Sequence, residues 1–310
     1  MIDCHHDLLS ILYYCYCHDD YQYLEEWIQN FRDDNVSGLL ANLYFMNPAD
    51  MKEKFRLEEI DVTEMFRIST ELFHQYLPDY LVIFSIEGCD YIKDTHELEE
   101  LYQLGLRNIL LVWNNPNRYG SGNLGDYGLT DKGKEFLRKA IDLGISIDLS
   151  HMNEKTFFDT IELILKEMEN GKNVKVLVSH SNCREICNHE RNLSDEEIQA
   201  LKSVNGLLGI VGYDQFVRDV KQRDFSLKQM YLKHITHAIN IMGIDSVAVS
   251  SDDMDFYEKL FHEEYGEMVF SYSSIQKEIG ELLRSIYSEE DVKKLLYQNV
   301  YNYLFKEEIK

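Results

Sequence analysis

The chain has 310 residues, with 45% hydrophobic side chains and 55 acidic against 31 basic residues, for a formal charge of −24. It is long enough to bury a sizeable core without disulfide staples. The acidic balance argues against nucleic acid and anionic membrane surfaces as partners, since both are bound through a basic face. Three prolines exclude a Pro-rich linker.

The opening segment, MIDCHHDLLS, has no basic stretch followed by an apolar run, so it does not read as a secretory signal. No stretch reaches the ~18 apolar residues of a membrane span. Six cysteines (Cys4, Cys15, Cys17, Cys89, Cys183, Cys187) in such a chain are expected to be reduced thiols. The expected location is cytoplasmic.

Eight apolar runs follow one another along the chain, at 1–8, 38–46, 80–88, 108–115, 145–151, 174–182, 206–213 and 246–252. Several are continuous rather than alternating, which is how strands covered on both faces read in a parallel sheet. Helical patterns lie between them, at 131–143, 154–169, 194–201 and 227–242, with another at 274–286. Gly144 is placed to end the first of these. Asn153 and Ser194 stand as N-caps, and Ser194 with Glu197 has capping-box spacing. Residues 257–270 read as a loop over the mouth of the sheet. Residues 289–305 read as a C-terminal helix expected on the barrel exterior. The first strand begins almost at Met1, with no helix ahead of it to plug the barrel. Strands alternating with helices over this length predict an α/β chain folded as a (β/α)8 TIM barrel in a single domain over 1–310. The runner-up is a doubly wound open sheet.

Acidic and imidazole side chains fall at the ends of five of these runs: His5 and Asp7, Glu87, His151, His180, and Asp252. Strand C-termini converge on one face of a barrel, so the fold would gather them. Residues i and i+2 of a strand face the same way, so His5 and Asp7 can share an ion. The further histidines and carboxylates predict a binuclear centre bridged by a Glu. Mixed imidazole and carboxylate ligands suit Zn2+, with Mn2+, Fe2+ or Co2+ also compatible. A lone histidine in a sheet protein is ordinarily a hydrogen-bonded structural residue, and Asp148, which alternates with His151, could support a neighbour rather than bind metal. The shared placement at strand ends is what favours ligation.

The chain resembles the membrane dipeptidase (renal dipeptidase-like) family of zinc peptidases, within the amidohydrolase-type barrels. DCHHDL at 3–8 is similar to its DGHNDL, and SIEGCD at 85–90 to its EGG-type segment. YQLGLRNILLVWNN at 102–115 and GLTDKGKEFLRKAIDLGISIDLSH at 128–151 are similar to its LGxRxxxLTxxxxN and GLT…DLSH segments. VLVSHSNCREICNHERNLSDEEI at 176–198 and SSDDMD at 250–255 are similar to its SHS…RN(L)xD and GSDFDG segments. These motifs follow the family's order over nearly the whole chain.

The resemblance implies a barrel of the metal-dependent hydrolase type with two Zn2+. His5 and Asp7 would hold one ion, His151 and His180 the other, and Glu87 would bridge them. A hydroxide between the ions would attack the carbonyl of a dipeptide. Arg191 would pair with the substrate's free carboxylate, and Asp252 would hold its amine or move a proton to the leaving nitrogen. Trp113 stands where better-known members have a histidine, so it either lines the substrate pocket or is a core aromatic. Cys4 and His6 replace a glycine and an asparagine, and Cys89 with Asp90 replaces Gly-His. These departures leave open a related amide or lactam hydrolase, or a metal-binding barrel without peptidase activity. The expected partners are a dipeptide or another small amide, with no nucleic acid and no membrane; a homodimer is compatible. Cys4, Cys89 and Cys183, each within three positions of a proposed ligand, read as buried fillers ahead of any redox role.

Overall fold

The structure, a computed structural model, describes residues 1–33, 36–45, 48–219, 224–255, 258, 266–271 and 274–306. Each apolar run contains a strand: β1 (Ile2–His6), β2 (Gly38–Tyr44), β3 (Leu81–Glu87), β4 (Leu106–Leu110), β5 (Ser146–Asp148), β6 (Val176–Val178), β7 (Leu207–Val211) and β8 (Val247–Ser250). They form one sheet in chain order, and at least one helix separates each successive pair. The registered pairs β3–β4, β4–β5, β6–β7 and β7–β8 are parallel. The last strand returns to the first, where Ser251 N–H donates to Asp3 Oδ1 at 2.8 Å and Asp252 N–H to the His5 carbonyl at 3.2 Å. This is a (β/α)8 barrel. A doubly wound sheet would reverse its strand order about an internal strand, and this one does not.

By its contacts the chain divides into two compact units. One comprises Met1–His6, Asp33–Leu39 and Val176–Lys310; the other comprises Asp7–Arg32 and Leu40–Lys175.

In the first unit β1, β7 and β8 are buried along their whole length; β7 is apolar throughout, as a strand covered on both faces reads, whereas β1 buries Asp3, His5 and His6. Gly209 allows β7 to approach closely: a Cβ there would lie 2.0 Å from the Ser179 carbonyl oxygen. Helix Asp195–Ser203 carries the full capping box, with Ser194 accepting from Glu197 N–H and Glu197 from Ser194 N–H. The C-terminal segment is helical at Glu289–Lys293 and widens into π turns at Lys294–Gln298 and Tyr301–Phe305. It is tied to the starts of strands. Asn299 Nδ2 donates to the Val247 carbonyl at 2.7 Å, and the Tyr303 hydroxyl bonds both backbone groups of Val176. Most of the loop expected at 257–270 lies outside the described residues; within its described end, Met268 bridges to Tyr213.

In the second unit, helix Asp131–Leu143 ends at Gly144, whose φ of 78° is the left-handed C-cap conformation anticipated for it. Asn153 caps helix Glu154–Glu169 by accepting from Thr156 N–H at 2.8 Å. Each such cap contributes about 1 kcal/mol. The core beneath β3 is aromatic, with Phe66 and Phe73 meeting Phe84 edge-on.

His234, fully buried in helix Leu227–Met242, anchors the loop after β6 in the first unit. Its Nδ1 accepts from Cys183 N–H at 3.0 Å, and its Nε2 donates to the Val217 carbonyl at 2.8 Å. Burial pushes its pKa down from 6.5 to about 4. Between those values the unfolded chain takes up a proton there that the folded chain refuses. Stability therefore falls as pH drops through that window, by about 3 kcal/mol from this group. Urea unfolding at pH 7 and pH 4.5 should show this loss, and His234→Gln should remove that part of the slope. An unchanged slope in the variant would contradict the assignment.

Candidate metal centre

In the first unit His5 lies within β1, with no exposed surface. Its Nε2 is 3.8 Å from Asp252 Oδ1. Asp252 sits two residues past β8 at a φ of 47°, a conformation disfavoured for a side chain bearing a Cβ. The backbone bonds to Asp3 and His5 hold it there, and Asp3 also accepts from the Ser251 hydroxyl. His180 lies two residues past β6, its ring centroid 3.8 Å from that of His5. The Ser179 hydroxyl is 3.0 Å from His5 Nδ1 and 2.9 Å from His180 Nδ1.

Arg191 is buried and directs its NH2 group at His180 Nε2, 3.0 Å away. Its loop is fixed by Ser181, which donates to the Arg191 carbonyl at 2.6 Å, and by His189 Nδ1, which accepts from Arg191 N–H at 3.1 Å. The guanidinium also lies 5.5 Å from the centre of the Phe216 ring.

In the second unit Glu87 is the last residue of β3. His151 lies three residues past β5 at a φ of 69°. Asp148 makes the turn that presents it, accepting from both the backbone N–H and the hydroxyl of Ser150. His151 Nδ1 faces Asn114 Oδ1 at 2.8 Å, and its Nε2 faces Glu87 Oε1 at 2.8 Å. Trp113 is half-buried, 5.9 Å from the His151 ring and 5.3 Å from Tyr44, centre to centre. Asp7 is buried at the head of helix Leu8–His18, and its carboxylate does not cap that helix.

These side chains fit divalent cations. An amide oxygen only accepts, so His151 carries its proton on Nδ1 and presents a lone pair at Nε2. That lone pair and a carboxylate oxygen 2.8 Å apart repel each other unless a proton or a metal ion holds them together. In His5, His151 and His180 alike, Nδ1 meets a protein oxygen; Nε2 faces a carboxylate in His5 and His151 and the Arg191 guanidinium in His180. His, Glu and Asp groups able to hold a metal ion occur among the described residues. Burial pushes the Cys183 thiol up to about 12 and the Cys89 thiol well above its ordinary value; Cys4 has no exposed surface.

The membrane dipeptidase family, peptidase family M19, matches residues 2–308. The chain belongs to this family. It is therefore a hydrolase of the peptidase class, from a metal-using family of dipeptidases. A Klebsiella pneumoniae protein described only as lying in the pqqA 5′ region is 31% identical over 69% of this chain and 77% of its own length. Dipeptidase tcpJ of Claviceps purpurea is 24% identical over 81% of this chain and 59% of its own length. A metallo peptidase from Rhodobacter sphaeroides, solved with a phosphinate mimic of the dipeptide L-Ala-D-Ala, superposes with a TM-score of 0.75 at 19% identity, covering 98% of both chains. No helix among the described residues is long and apolar enough to cross a membrane.

Sequence reasoning did not single out Ser179, Asn114 or the Asp3–Ser251 pair. Each is an ordinary polar residue in or beside an apolar run, and its partner is remote in sequence. Asn114→Leu should cost roughly 10–100-fold in zinc affinity by freeing the His151 ring. Competition with a chromophoric chelator measures this. Unaltered affinity would mean that Asn114 does not orient His151 toward an ion.

Proposed function

We propose that this member of the dipeptidase family hydrolyses dipeptides with a free C-terminal carboxylate, using two divalent ions held by His5, Asp7, Glu87, His151 and His180. Zinc is the ion we favour, with Glu87 as the ligand common to both. The observation that carries the reading is Arg191, a buried guanidinium 3.0 Å from a proposed ligand. A buried arginine beside such a group suits a substrate whose carboxylate lies close to its scissile bond.

When bound, the ions supply Lewis acidity toward the carbonyl oxygen and an activated water. The chain's own residues do the rest. Arg191 grips the C-terminal carboxylate through its planar fork and sets the substrate's register. Asp252, one-fifth exposed and close to His5, receives the substrate amine or passes a proton to the leaving nitrogen. Trp113 lines the pocket beside His151. The L-Ala-D-Ala mimic carried by the Rhodobacter sphaeroides relative supports tolerance of a D-residue in the second position.

Residues 1–310 act in this reading as one hydrolase domain. The enzyme works in the cytoplasm, in keeping with six cysteines that form no disulfide. Trp113 favours one second reading, a related amide or lactam hydrolase, because an indole replaces a polar ring at the pocket wall.

Metal-loaded protein should cleave dipeptides and should cleave their C-terminal amides far more slowly. Arg191→Ala should raise KM for the free acids by about 10–100-fold, the range for losing a charged hydrogen bond. Equal rates on acids and amides would remove Arg191 from substrate recognition. Turnover of cyclic amides without turnover of any dipeptide would favour the second reading.

A further inference from the structure

We infer that the Ser179 hydroxyl sets the tautomers of His5 and His180 together, and through them governs both proposed metal positions at once. The His180 tautomer stands on the hydrogen bonds alone; the His5 tautomer and the effect on both metal positions rest on the ligand assignment above.

Ser179 has no exposed surface and follows β6 directly. Its backbone is held in place by β7. Its carbonyl packs against Gly209 so closely that no side chain fits there, and Ser181 N–H donates to the Gly209 carbonyl at 3.0 Å. From that position one oxygen reaches two rings, 3.0 Å from His5 Nδ1 and 2.9 Å from His180 Nδ1.

The proton arrangement follows from what each group can do. A guanidinium has only donors, so the Arg191 contact requires a lone pair on His180 Nε2. A neutral His180 therefore carries its proton on Nδ1 and donates it to Ser179 Oγ. A hydroxyl oxygen has two lone pairs, so one remains. His5 can present its own Nε2 lone pair only if its Nδ1–H donates to that second lone pair. Ser179 is then a double acceptor, with its own proton directed elsewhere. An alanine would remove both acceptors in one step and release both rings.

Under the ligand assignment His5 and His180 serve different ions. Losing Ser179 should therefore weaken both metal positions, whereas losing Asn114, which touches His151, should weaken one. Ser179 is a positioning residue; it meets the ligands and not the substrate.

The test uses full-length protein labelled with 15N at histidine, as wild type, Ser179→Ala and Ser179→Cys. The Cys variant keeps a side chain of similar size with a weaker acceptor, and guards against poor folding of the Ala variant. Two-bond 1H–15N spectra of the zinc-free proteins report ring tautomers. Wild type should show His5 and His180 protonated at Nδ1, the Ala variant should show mixed tautomers at both, and the Cys variant should lie between. Wild-type tautomers in Ser179→Ala would overturn the inference. Zinc titration against a chromophoric chelator should then show both binding steps weakened by about 10-fold or more in Ser179→Ala. Loss at one step only would overturn the claim that the serine serves both positions. A wild type that takes up no zinc would sink the ligand assignment, while the tautomer spectra would still decide the role of Ser179.

Discussion

An imidazole binds a metal only while neutral and with its lone pair turned toward the ion, and inside a protein both conditions are set by the groups around the ring. In the proposed metal centre, much of the local structure would serve that constraint. His5, His151 and His180 each present Nδ1 to a side-chain oxygen, from Ser179 or Asn114. Those oxygens lie on or beside the ends of strands, where the barrel is most rigid and its side chains face inward. The His5 and His180 rings lie 3.8 Å apart, tilted by 46°, and beside them the Ser179 carbonyl packs closely on Gly209 of β7.

The backbone accepts local cost for this arrangement. His151 and Asp252 both adopt left-handed conformations, each worth about 1–2 kcal/mol of strain for a residue bearing a Cβ. Each is held by bonds that leave little alternative. Asn123 N–H donates to the His151 carbonyl at 3.0 Å, and Asp252 N–H donates to the His5 carbonyl at 3.2 Å. The strain sits at two proposed functional residues.

The fold was largely legible in the chain. Apolar runs, several of them continuous, marked all eight strands, and Gly144, Asn153 and the Ser194–Glu197 box marked helix ends because their chemistry is local. The proposed site rests on acids and imidazoles whose position at run ends is a pattern in one dimension. Its supports were not. Ser179 meets His5 across 174 residues and Asn114 meets His151 across 37, and a serine or asparagine beside a strand carries no mark of its partner. The C-terminal segment was read as helical, but its attachment to the starts of β6 and β8 through Tyr303 and Asn299 depends on register that periodicity does not carry.

The central claim is that these histidines and carboxylates form a metal centre. Elemental analysis of protein purified without added metal or a metal-affinity column tests it most directly. The account predicts about two divalent ions per chain, zinc foremost, a number that falls when His151 or His180 is replaced by alanine. A chain that holds no metal after purification, and takes up none on reconstitution with zinc, would contradict it.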